Sequence, residues 1–152
     1  MTTGAIYGNF KSRDDPFIAL GLAYWKPISP RVKPDASFAA VMRAIADATI
    51  AALPNRSTVA VGRLTGMAYA LSHEEMRAKV AEVTRHSYAI GEQWLLSVTK
   101  AHDLPMPADQ LVRVIHALSE GLIFQRLLTP ELIPDKVIRS AFLALAEGSK
   151  SP

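Results

Sequence analysis

Apolar side chains recur at spacings of three and four along most of the chain, while sustained apolar/polar alternation and Asn-Gly or Asp-Gly hairpin turns are missing. The pattern predicts an all-α fold, cut into segments by prolines and polar breaks. A short helix is predicted over residues 3–10. A second starts at Ser12, whose hydroxyl can cap free N–H groups while Asp15, three residues on, completes a capping pair. Pro16 is compatible with that helix because it falls in the first turn. Residues 26–35 contain Pro27, Pro30 and Pro34 and read as a loop.

The alanine-rich run over residues 36–53 places Phe38, Val41, Ile45, Ala48 and Ala52 on one face and is predicted as a core helix closed by Pro54-Asn55. A further helix is expected over residues 57–71. Gly62 and Gly66 lower its propensity, and their spacing reads as close helix packing. Ser72 with Glu75 forms another capping pair, opening a long helix over residues 74–101. Pro107 and Asp109 start the next, with Leu111, Val114, Ile115, Leu118 and Leu122 in one stripe and Val112, Ile123 and Leu127 outside it. The last helix, residues 134–147, carries Val137, Ile138, Ala141, Phe142 and Leu145.

Two apolar helices with more than one apolar face, closing a small chain, predict a surface that buries itself against a second copy as a four-helix interface. The interface candidates are Val112, Leu122, Ile123, Leu127, Ile138, Phe142 and Leu145. The alternative is that both helices are core elements of a monomer.

The 152 residues are 49% hydrophobic, enough for one globular domain with a full-sized core. Zero cysteines exclude a disulfide scaffold, a thiol nucleophile and a zinc-thiolate site. No apolar run reaches the roughly 20 residues of a membrane helix, and the amino terminus lacks the layout of a signal peptide. A cytoplasmic protein without a membrane partner is therefore expected. The net charge of +3 leans to the front: residues 1–35 hold five basic and three acidic groups. Alone, that excess does not support DNA binding.

Catalytic signatures are missing. There is no Gly-x-Ser-x-Gly elbow, Gly-rich phosphate loop or His-Glu-x-x-His. Ser119 lies near His116 in sequence but has no acidic orienter, so the chain is read as a non-enzyme without a cofactor. The four histidines are too widely spaced for a metal motif. Glu82 with His86 and His116 with Glu120 are spaced to share a helix face, and a metal or acidic-ligand site would require their helices to meet. Hydrogen-bonding pairs are the preferred reading, with no metal.

The opening Thr2-Thr3-Gly4-Ala5-Ile6-Tyr7-Gly8-Asn9-Phe10-Lys11-Ser12-Arg13-Asp14-Asp15 closely resembles the end of the helix-turn-helix in TetR-family transcriptional regulators. There a recognition helix, Thr/Ser-x-Gly-x-Ile/Leu-Tyr-x-x-Phe, runs into a basic-Ser-basic-acid linking helix. The stretch Leu118-Ser119-Glu120-Gly121-Leu122-Ile123-Phe124-Gln125-Arg126-Leu127-Leu128-Thr129-Pro130 resembles the penultimate helix of the same family. Each amino-terminal residue also has a physical reading. Thr2 and Thr3 offer hydroxyls at a helix start, Gly4 allows close backbone approach, Tyr7 can present its hydroxyl to phosphate, and Lys11 and Arg13 supply salt-sensitive charge.

The resemblance implies a remnant of the helix-turn-helix over residues 1–11 and a ligand-binding and dimerisation domain over residues 12–152. The DNA-binding candidates are Thr2, Thr3, Gly4, Tyr7, Lys11 and Arg13. A helix-turn-helix needs a bracing helix before the recognition helix, so operator DNA is a partner only if further amino-terminal helices are present. Met1 stands where the family often has valine, as a GTG codon read as a start would produce. A small apolar or aromatic effector is implied among the middle helices, with Trp25, Met42, Met67, Tyr69, His86, Ile90, Trp94 and Phe124 as candidate lining residues. The expected function is a TetR-like regulator, a repressor, that binds an effector and forms homodimers. The alternative is an all-α dimeric ligand-binding or interaction protein with no DNA target.

Overall fold

The computed structural model describes residues 27–28 and 30–147. Five α-helices follow one another in them: α1 (Phe38–Ser57), α2 (Ala60–Ser72), α3 (Glu74–Val98), α4 (Ala108–Leu128) and α5 (Asp135–Glu147). A 3-10 turn at Ala101–Asp103 joins α3 to α4, and the described residues hold no strand, so the fold is all-α. The helices expected before residue 26 lie outside the described residues.

Ser37 caps α1, its Oγ accepting from the Ala40 N–H (3.3 Å). The buried stripe is Phe38, Val41, Met42, Ile45, Ala46 and Thr49, while Ala48 and Ala52 are only half-buried. Thr49 is buried without cost to its hydroxyl, which donates to the Ile45 carbonyl (2.8 Å). Pro54 does not close the helix as its sequence predicts. It removes one N–H, but the following turn is anchored by buried Arg56 and closed by hydroxyls: Ser57 Oγ donates to the Pro54 carbonyl (2.8 Å) and Thr58 Oγ1 to that of Asn55 (2.9 Å). Those residues are thereby used by α1, and α2 starts at Ala60 rather than at residue 57.

The joint between α2 and α3 also departs from expectation. Ser72 is the last residue of α2, and its Oγ donates back to the carbonyls of Ala68 (3.2 Å) and Tyr69 (3.1 Å) instead of capping α3. His73 alone separates the helices; its Nδ1 donates to the Tyr69 carbonyl (2.9 Å) and its ring stacks on Tyr69 with centroids 3.7 Å apart. The glycines of α2 are not close-packing positions either, since a Cβ added at Gly62 or Gly66 would meet nothing within 4 Å. The close approach is elsewhere: a Cβ at Gly91 of α3 would lie 3.0 Å from Val112 Cγ1 of α4. At its end, α3 stops at Val98, three residues early, because the Val98 carbonyl accepts from the Ala36 N–H (3.0 Å) and Thr99 turns extended.

α5 lies along α1, α3 and α4 form a second pair, α4 also touches α1, and α2 rests on α3. The core gathers the α1 stripe, Leu95 and Val98 at the end of α3, Leu111 of α4, and Ile138, Phe142 and Ala146 of α5. Arg126 staples the α4–α5 turn, donating from Nη1 to the Ile133 carbonyl and from Nη2 to Asp135 Oδ1 (3.1 Å).

This packing corrects the interface expected from sequence. Ile138 and Phe142 are fully enclosed by the chain's own core and Ile123 is buried within the chain, so none of the three is available to a second copy. Val112, Leu122 and Leu145 are half-buried against the same core, and Leu127 is half-buried. The reason is the extent of α1: it uses the whole Ile138–Phe142–Ala146 stripe of α5.

Candidate functional site

Once its core side is used, α4 carries two further faces, one polar and turned to α2 and α3, the other apolar and turned outward. On the polar face His116 and Glu120 stand one turn apart. Arg63 of α2 reaches this carboxylate, with Nη2 2.6 Å and Nε 3.2 Å from Glu120 Oε1. His116 Nε2 faces the other oxygen, Oε2, at 3.5 Å. The His116 ring meets Tyr88 of α3 edge-on at 5.4 Å, and the Arg113 guanidinium lies 5.9 Å from the Tyr88 ring centroid while pairing with Asp109 (2.8 Å). Residues from α2, α3 and α4 thus meet along one seam.

The seam is half-buried, which sets its electrostatics. Burial of the Glu120 carboxyl raises its pKa; the hydrogen bonds from His116 and Arg63, together with their charges, outweigh that and hold it at about 2. Burial lowers the pKa of the nearby Arg56 guanidinium, an effect that Glu120 opposes and Arg63 reinforces. Glu120 is therefore ionised at neutral pH and has no tendency to shuttle protons there. Ser119 is no nucleophile in waiting, because its Oγ donates to the Ile115 carbonyl of its own helix (2.7 Å). Chemically, the seam is a polar clasp between α2 and α4.

The outward face of α4 presents Val114, Ala117, Gly121, Gln125 and Leu128 at helical spacing, all exposed, and Leu132 is exposed in the turn that follows. Leu128 and Leu132 are 70% and 66% exposed. On α5, Lys136, Val137, Ser140 and Ala141 line a shallow open depression.

No family model, curated protein or solved structure matches this chain. The site therefore rests on its own geometry.

Among the expected effector-lining residues, Met42 is sealed in the core and Trp94 packs against it. Tyr69 is engaged at the α2–α3 joint, Phe124 is half-buried on α4, and Met67, His86 and Ile90 are exposed. They do not converge on one cavity. Trp25, and the DNA-contact candidates Thr2, Thr3, Gly4, Tyr7, Lys11 and Arg13, lie outside the described residues. The two acid/His pairs separate as well: α3 and α4 do meet, yet Glu82 and His86 both face solvent, and no cluster of three His, Asp or Glu side chains among the described residues is placed to hold a metal. Sequence reasoning found His116 and Glu120 but missed Arg63. The available signal was its isolation, as the only Lys, Arg, Asp or Glu between Arg56 and Glu74.

Proposed function

We propose that this chain is the effector-binding and dimerising part of a TetR-like transcriptional regulator, a repressor, whose helix-turn-helix is represented by the recognition-helix motif at its front. The observation that carries the reading is the run Thr2 to Arg13, with glycine, tyrosine and phenylalanine at the spacing of that family's recognition helix and Lys11-Ser12-Arg13-Asp14 after it. The all-helical fold is compatible with it. So is the outward face of α4, which offers a second copy the exposed Val114, Ala117, Gly121 and Leu128, with Gln125 among them, and Leu132 in the following turn. Small residues in the middle of that face let two helices approach closely. In this scheme a small apolar or aromatic effector shifts the population between two arrangements of the dimer and so changes operator affinity.

Two experiments test the reading. Sedimentation of the chain should give a dimer, and Leu128→Asp or Gly121→Arg should give folded monomers, since both positions are exposed within one chain. A wild-type monomer at high concentration would remove the dimer from the scheme. For the DNA half, the coding sequence upstream of Met1 is read in frame and the extended protein expressed. Binding to a selected duplex with a steep loss of affinity as salt rises supports the regulator. A folded, extended dimer that selects no DNA leaves a ligand-binding or interaction protein instead.

A further inference from the structure

We propose that α2 is a strap that opens from the body of the fold as a local unit, with the Arg63–Glu120 pair as its latch. The inference is independent of the regulator reading. Among the 13 residues of α2 only Ala70 is buried, and its larger apolar side chains Val61, Leu64, Met67 and Leu71 are all exposed. Segments with few buried apolar contacts occupy the low end of local stability. The sequence of α2 adds to this. Gly62 and Gly66 reduce helix propensity with no packing in return, and Val59 at the N-cap makes no side-chain cap bond. By contrast α1 and α5 share the buried core, and α3 and α4 are joined at the Gly91–Val112 approach.

Besides its short connections to α1 and α3, several contacts hold α2. One is its packing on α3 around Ala70, the second is the Ser72-His73 joint, and the third is the reach of Arg63 to Glu120 across 57 residues of sequence. The first two lie at the carboxy-terminal end, beside the one-residue connection to α3. Arg63 lies in the first turn, next to the two-residue connection to α1 (Thr58 and Val59), so α2 is tethered at both ends and opens by local unfolding in place. A double contact to one partly buried carboxylate oxygen is a charge-assisted bond, stronger than a neutral one and lost as soon as the helix lifts. Opening uncovers the Glu120 carboxylate on α4.

Hydrogen exchange of the full chain, read by mass spectrometry, tests the latch. In the wild type, amides of α2 should exchange faster than those of α1 and α5 and respond weakly to low urea, the signature of local opening. Glu120→Gln should speed α2 exchange roughly tenfold while α1 and α5 keep their rates. Arg63→Met should do the same. Overturning results are α2 protection equal to that of α1 and α5, unchanged α2 exchange in both variants, or a uniform acceleration of all helices. If Glu120→Gln does not fold, the urea dependence of α2 in the wild type and the Arg63→Met result decide.

Discussion

Gly91 and Gly66 are both helical glycines, yet the same substitution should have opposite effects at the two positions. Replacing glycine by alanine inside a helix gains about 1 kcal/mol of propensity wherever the methyl group has room. At Gly66 it does, because nothing lies within 4 Å of an added Cβ, and Gly66→Ala should stabilise by about 1 kcal/mol. At Gly91 the new methyl lies 3.0 Å from Val112 Cγ1 and 3.7 Å from Cγ2. Val112 cannot swing away. It is β-branched, which leaves one strongly preferred rotamer in a helix, and it is packed against the core. α3 and α4 must separate by a few tenths of an ångström, and overpacking of this kind costs about 1–3 kcal/mol. After the propensity gain is subtracted, Gly91→Ala should destabilise by about 1 kcal/mol. Urea unfolding reads both variants as midpoint shifts at constant slope. The Gly91→Ala/Val112→Ala double variant should recover part of the loss, as a coupling of about 1 kcal/mol. Equal stabilisation at the two glycines, or no coupling to Val112, would refute the close α3–α4 approach.

Phe142→Ala empties a fully buried site and should cost about 3–5 kcal/mol in the same assay. Phe142→Asp should unfold the chain rather than release folded monomers, which circular dichroism distinguishes. The depressed pKa of Glu120 makes its contribution to stability fully present above its ordinary value of 4.5, with loss as pH falls through about 2. That gap corresponds to at most about 3 kcal/mol, and the stability difference between wild type and Glu120→Gln should shrink steadily between about pH 5 and about pH 2. Arg126→Met removes two bonds that close the α4–α5 turn; a loss of about 1.5 kcal/mol and faster proteolysis at residues 129–134 are expected.

Helix content was legible because it depends on spacing, and spacing is local. The last three helices start within a few residues of expectation, since Pro107 and Pro134 fix where α4 and α5 begin. The boundaries that moved did so through bonds that spacing does not encode. Pro54 reads as a stop, but Arg56 is drawn into the interior and the hydroxyls of Ser57 and Thr58 close the turn beyond it. Ser72 could cap the helix on either side of it, and its choice was decided by a connection of a single residue. At the carboxy-terminal end of α3, the competing partner was Ala36, more than sixty positions away.

The faces of α4 show why the site was harder to read than the fold. Sequence alone places Val114 with Leu111, Ile115 and Leu118, because all four fall within one broad apolar arc. Packing divides that arc: Leu111 is sealed in the core, whereas Val114 points outward with Ala117, Gly121 and Leu128. Which apolar residue is core and which is surface follows from where α1 and α3 lie against α4, and no period within α4 carries that information. The same holds for Glu120. Its neighbour His116 is visible at four residues' distance, but the group that completes the clasp comes from another helix, 57 positions earlier. An arginine alone in an apolar helix can stay solvated or pair with a carboxylate, and only the fold shows that it pairs, with Glu120 rather than Glu82, which faces solvent on α3. The pairing sets the order in which the structure can come apart. Because α2 has little buried surface of its own, loss of the Arg63–Glu120 pair should loosen α2 first, while the core of α1, α3, α4 and α5 remains closed.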